Sequence, residues 1–165
     1  MFVLFFMSLL FAGNHGNGII IRKDLYPKIS HQWNVIPKII ICNDSPFNYV
    51  TIQKAANIWR EEGLQIGNII HESDSNKCDE GGGAINYKRG YIQIRGYRGS
   101  FSKYEYLAYT MYFYDKKNKN ITYGKIIEFS SGYDISNKDL KLLVHELGHA
   151  LGYSHYDEKY DLMNR

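Results

Sequence analysis

Residues 145–155 read H-E-L-G-H-A-L-G-Y-S-H. His145 and His149 are four residues apart, a spacing that stacks them on one face of a helix. Two imidazoles held in that way grip a single zinc ion. Glu146 is rotated around the helix, placed to reach a water on the metal rather than the metal. Gly152 suits the left-handed conformation that ends a helix and turns the chain, and such a turn brings His155 back as a third ligand. The fourth tetrahedral position is then open to water, which separates a catalytic zinc site from a closed structural one. With each of the five fixed residues at about 1 in 20, a start position matches by chance roughly once in 3 million. The plainer reading, two solvated histidines on a helix and one stray His155, is set aside on that ground.

The other residues bound the setting. A chain of 165 residues suits one domain with one core. Lysine and arginine are scattered and the formal charge is only +3, so nothing points to a nucleic-acid partner. Lys116, Lys117 and Lys119, beside Asn118 and Asn120, read as a solvated hairpin tip. Residues 2–12 form an apolar run, F-V-L-F-F-M-S-L-L-F-A, too short to span a bilayer but suited to the core of a signal peptide. No Lys or Arg precedes it. We therefore expect a signal peptide or apolar leader over 1–12, a short preface segment over 13–32 and the catalytic domain over 33–165. Secretion, or another extracytoplasmic location without a stable membrane span, follows from that division. Cys42 and Cys78, 36 residues apart, either pair in an oxidising compartment or stand as two independent buried side chains. Neither has metal-motif spacing.

Element signals run the length of the chain. Val35–Cys42 reads as a strand with Pro37 near its start, and Asn43–Phe47 as a turn. Tyr49–Glu62 carries apolar residues at helical spacing and stops at Gly63. Leu64–His71, Tyr91–Arg95, Leu107–Tyr114 and Lys125–Phe129 read as further strands, with a loop around Gly81–Gly83. Ser136 to Asp139 resembles a capping box, with Asp in place of Glu. The helix it opens places Leu140, Leu143, Val144, Leu147 and Leu151 toward the core, leaving the histidines to face a cleft. His15, His31 and His71 have no matching partners and read as surface or turn residues. Asn120-Ile-Thr122 fits a glycosylation sequon.

The order strand, helix, several strands and metal-motif helix resembles the metzincin zinc peptidases, and within them the matrixin-like branch. The resemblance covers roughly Trp33 to Met163. It rests on the extended zinc motif, on Met163 eight residues beyond His155, on Ala55 and Trp59 in the first helix, and on L-A-Y-T-M-Y-F-Y (107–114) and G-K-I-I-E-F (124–129). It implies an α+β, zincin-like fold: a twisted, mixed five-stranded sheet with one antiparallel edge strand, packed by a long helix and an active-site helix. It also implies one catalytic Zn2+ held by His145, His149 and His155, with Met163 beneath it as the Met-turn. Glu146 is then general base, and Leu107, Ala108, Tyr109, Thr110 and Met111 pair with an extended polypeptide substrate. Tyr156 stands where matrixins commonly have Ser. The two residues after Met163 make the domain C-terminally short beside the family, and the sequence says nothing about calcium.

The expected activity is zinc-dependent hydrolysis of peptide bonds. Glu146 accepts the proton of the attacking water and returns it to the leaving amine. Two alternatives stay open: a non-catalytic module in which zinc stabilises a binding or structural domain, and a hydrolase of cell-wall peptide cross-links.

Overall fold

Asn48 opens the first helix, because its side-chain oxygen accepts the Thr51 backbone N–H at 2.9 Å, satisfying one of the donors a helix start leaves unpaired. That helix, α1, runs Tyr49–Glu61 and buries Thr51, Ile52, Ala55, Ala56, Ile58 and Trp59. It ends where Gly63 takes a φ of +82°. The computed structural model describes residues 13–14, 19–29, 32–71, 78, 89–97, 107–114, 121–130, 135–136, 138–157 and 161–164. The apolar leader, His15, His31, the Gly81–Gly83 loop and the Lys116–Lys119 tip lie outside them.

Around α1 the chain forms an α+β fold. The short strands β1 (Gly13–Asn14) and β2 (Ile20–Ile21) pair with each other, and β3 (Gln32–Trp33) follows. The main sheet is built from β4 (Lys38–Ile41), β5 (Ile69–His71), β6 (Tyr91–Gly96), β7 (Ala108–Tyr114) and β8 (Ile121–Phe129). Their spatial order is β5-β4-β6-β8-β7. All neighbours are parallel except β7, which runs antiparallel to β8. This is the expected mixed five-stranded sheet with one antiparallel edge pair; β3 joins as a sixth, two-residue strand parallel to the start of β8.

Both sheet faces are covered, as parallel strands require. Ile39, Ile41, Ile92, Ile94, Ile127 and Phe129 pack in one core with α1 and the second helix, α2 (Leu140–Leu151). On the opposite face Ile40 and Cys42 pack with Cys78, and Cys42 and Cys78 form a disulfide with Cα atoms 5.6 Å apart.

Strand boundaries depart from the sequence reading for identifiable reasons. The strand expected over Val35–Cys42 pairs only from Lys38. Pro37 has no N–H for a ladder, and Val35 and Ile36 are more than half exposed. The strand expected over Leu64–His71 shrinks to Ile69–His71, since the Arg60 guanidinium takes the Ile66 and Gly67 carbonyls at 3.0 and 2.8 Å. Strand β8 begins at Ile121, ahead of the expected Lys125.

The segment read as a preface packs closely against the second helix and the turn beyond it. Ile19, Ile21 and Tyr26 belong to the core. Ile29 N–H donates to the Gly152 carbonyl at 2.8 Å, Ser154 N–H to Pro27 at 2.7 Å and Leu162 N–H to Ile20 at 2.9 Å. Residues 19–29 thus strap the region that carries His155 and Met163.

Candidate metal centre

Helix α2 is placed by its apolar side. Leu143, Val144 and Leu147 are buried, while Leu140 and Leu151 are partly buried against the same core. The expected capping box does not form at the helix start: Asp139, not Ser136, is the N-cap and makes no side-chain cap bond, its carboxylate instead accepting the Ser136 N–H of the preceding turn at 2.8 Å. Two tryptophans hold the helix from outside. Trp59 donates its indole N–H to the Val144 carbonyl at 2.9 Å, and Trp33 to the Ala150 carbonyl at 2.8 Å. Ala150 lies in the last turn, where carbonyls lack partners within the helix.

The helix stops as its glycine predicts. Gly152 has a φ of +109°, a conformation that favours glycine, and the Tyr153 N–H returns to the Gly148 carbonyl at 3.1 Å. That turn brings His155 back over the helix. The Nε2 atom of His149 lies 3.1 Å from Nε2 of His145 and 3.2 Å from Nε2 of His155.

The other ring nitrogens decide what those three can bind. Nδ1 of His145 lies 2.7 Å from the Leu162 carbonyl, and Nδ1 of His149 lies 2.8 Å from the Tyr153 carbonyl. A carbonyl only accepts, so each Nδ1 carries the proton and donates it. Nε2 is left as a lone pair on both rings. Burial lowers the pKa of both histidines, His149 to about 4, so both are neutral at physiological pH. Lone pairs converging at such distances repel unless a cation sits between them. Tetrahedral zinc with Zn–N bonds of about 2.0–2.1 Å separates its ligand nitrogens by about 3.4 Å, close to the observed spacing. His145, His149 and His155 therefore form a site able to hold a metal ion, and the donor set fits zinc.

Glu146 is buried at 5% exposure beside this cluster. Its Oε2 accepts a hydrogen bond from the Thr110 hydroxyl of β7 at 2.9 Å. Burial raises its pKa to about 7, against the opposing pull of Thr110. The histidines, Glu146, Ala108 and Thr110 share a cleft of about 1000 Å³.

Met163 is fully buried. A methyl group built at Gly148 would sit 2.7 Å from its sulfur and 2.6 Å from the Trp59 ring, so the methionine packs directly under the helix, next to His149. Asp161 holds it there by accepting the Met163 N–H at 2.9 Å, and the Tyr156 N–H donates to the Met163 carbonyl at 2.8 Å.

The sequence reading brought the three histidines, Glu146 and Met163 together, and the structure places all five in one region. It named Thr110 as a strand residue but missed the bond to Glu146. It passed over Asp161, although Asp two residues before Met163 is a recurrent turn signal. It also missed Lys125, which is fully buried with Nζ 3.4 Å from the His149 carbonyl. The Trp33 and Tyr112 rings flank that ammonium, their centroids 5.6 and 5.0 Å away. His71 is exposed, as expected of a histidine outside the motif. No model of a known protein family matches the chain. No curated protein matches it either, so the three-histidine centre itself carries the functional argument.

Proposed function

We propose that this chain is a zinc-dependent endopeptidase of metzincin-like build. One observation carries the reading: three imidazole nitrogens converge at metal-binding distance beside a buried carboxylate, in a cleft bordered by the antiparallel strand of the sheet. A purely structural site has no use for that carboxylate.

His145, His149 and His155 would hold the ion through Nε2, their tautomers set by backbone carbonyls in two of the three cases. Zinc bound there would supply a Lewis acid and a water of lowered pKa. Glu146 accepts the proton of the attacking water, a task suited to a buried carboxylate set beside the three histidines. It then delivers that proton to the amine that leaves. Leu107 to Met111, at the end of the sheet bordering the cleft, aligns an extended polypeptide by strand pairing. The Cys42–Cys78 disulfide fits an extracytoplasmic setting, and no helix among the described residues is long and apolar enough to cross a membrane.

The test is metal analysis beside cleavage profiling. The purified chain should hold one zinc and cleave peptides in a chelator-sensitive way, with casein-type and cell-wall peptide substrates run in parallel to identify the class. His145→Ala should lose both stoichiometric zinc and activity. Full zinc occupancy in that variant refutes the ligand assignment.

A further inference from the structure

A general base must be aimed as well as basic. The Thr110 hydroxyl lies 2.9 Å from Glu146 Oε2 and 3.3 Å from the Glu146 backbone carbonyl. One hydroxyl has one proton to give. The shorter contact, to a carboxylate, is the stronger because it is charge-assisted. Threonine is also stiff at χ1, and its backbone is locked in register opposite Ile127 of β8. A rigid strand thus presents one donor to one of the two carboxylate oxygens.

We propose that Thr110 is a positioning residue for the reaction: its hydroxyl pins Glu146 Oε2 and leaves Oε1 to take the proton from water. The inference rests on the reading of Glu146 as base. It adds that the strand assigned to substrate pairing also orients the base. Substrate alignment and aiming of the base are then both set by one element, β7, while α2 carries the carboxylate together with His145 and His149. A side chain that merely filled space at this position would need the volume of threonine but not its proton.

Two variants separate these possibilities. Thr110→Val keeps the shape and removes the donor; Thr110→Ser keeps the donor. With zinc-loaded protein and a peptide substrate, Thr110→Val should lower kcat about tenfold or more, with KM and zinc content unchanged. Thr110→Ser should restore kcat to within a few-fold. Crystal structures of the metal-free proteins give a readout independent of turnover: the Glu146 carboxylate should leave its wild-type position in Thr110→Val and regain it in Thr110→Ser. Wild-type kcat in Thr110→Val, a carboxylate that does not move, or a serine variant no better than valine would each overturn the proposal. Should the wild-type chain cleave nothing, that failure belongs to the proposed function, and the carboxylate position still decides whether Thr110 holds it.

Discussion

Of the two glycines in the zinc motif, Gly148 has the less room. Any side chain there meets the Trp59 ring at 2.6 Å and the Met163 sulfur at 2.7 Å. The ring belongs to α1 and the sulfur to the turn after the motif, so neither moves alone. Gly148→Ala should therefore destabilise the fold by about 1–3 kcal/mol through overpacking, although alanine improves helix propensity by up to about 1 kcal/mol. It should also weaken zinc binding, because Gly148 adjoins the ligand His149 in α2. Denaturant melts and a zinc titration check both effects; wild-type values in each would contradict the packing account. At this scale the sequence was most legible where side chains themselves meet, as with His145, His149 and His155. The groups that set the histidine tautomers were hidden, because they are the carbonyls of Leu162 and Tyr153 and any residue type could supply them. Thr110 was hidden for another reason: its partner is 36 residues away in sequence.

Helix α2 is held at both ends by groups from other elements, and Lys125 of β8 is the unusual one. Burial lowers its pKa to about 7, far below the unfolded value of about 10.4. Between pH 7 and 10 the unfolded chain thus binds the proton more often than the folded chain does. Stability should rise with pH across that window, by on the order of a few kcal/mol. Above pH 10 the trend reverses, since burial raises the pKa values of Tyr26 and Tyr109 above the usual tyrosine value. Lys125→Met should flatten the rise between pH 7 and 10, as measured by melting temperature against pH for both proteins. Identical slopes would contradict the account. Periodicity exposed both helices well, down to the Gly63 and Gly152 stops, although the Asn48 cap went unread. It overextended the strands at Val35 and Leu64, where a proline and the Arg60 side chain compete with the ladder, and competition of that kind has no signature in hydrophobic pattern.

Across the whole molecule, the sheet presents α2 to the cleft while the segment 19–29 closes over the back of the metal turn. Tyrosine, abundant at 15 residues, finds part of its use here. Tyr26 packs edge-on to Tyr153, which stacks on Trp59 at 5.5 Å. The sequence showed residues 13–32 only as a short preface to the domain; their partners were hidden because Tyr26 meets Tyr153 and Tyr156, more than a hundred positions away. The disulfide ties the opposite face of the sheet. Closing a loop of 36 residues contributes about 4 kcal/mol on chain-entropy grounds. Reduction should therefore lower the melting temperature while leaving the zinc stoichiometry of the folded protein at one. Loss of zinc before unfolding would show that the disulfide supports the metal centre itself.

Three histidines and one carboxylate would act together in a single hydrolytic site. The most direct measurement is the peptide-cleavage rate of zinc-loaded Glu146→Ala beside the wild-type chain, at matched and measured zinc content. The account predicts equal zinc in the two proteins and a rate lower by about 10²–10⁴-fold in the variant. Undiminished cleavage by Glu146→Ala, at full zinc, would contradict it.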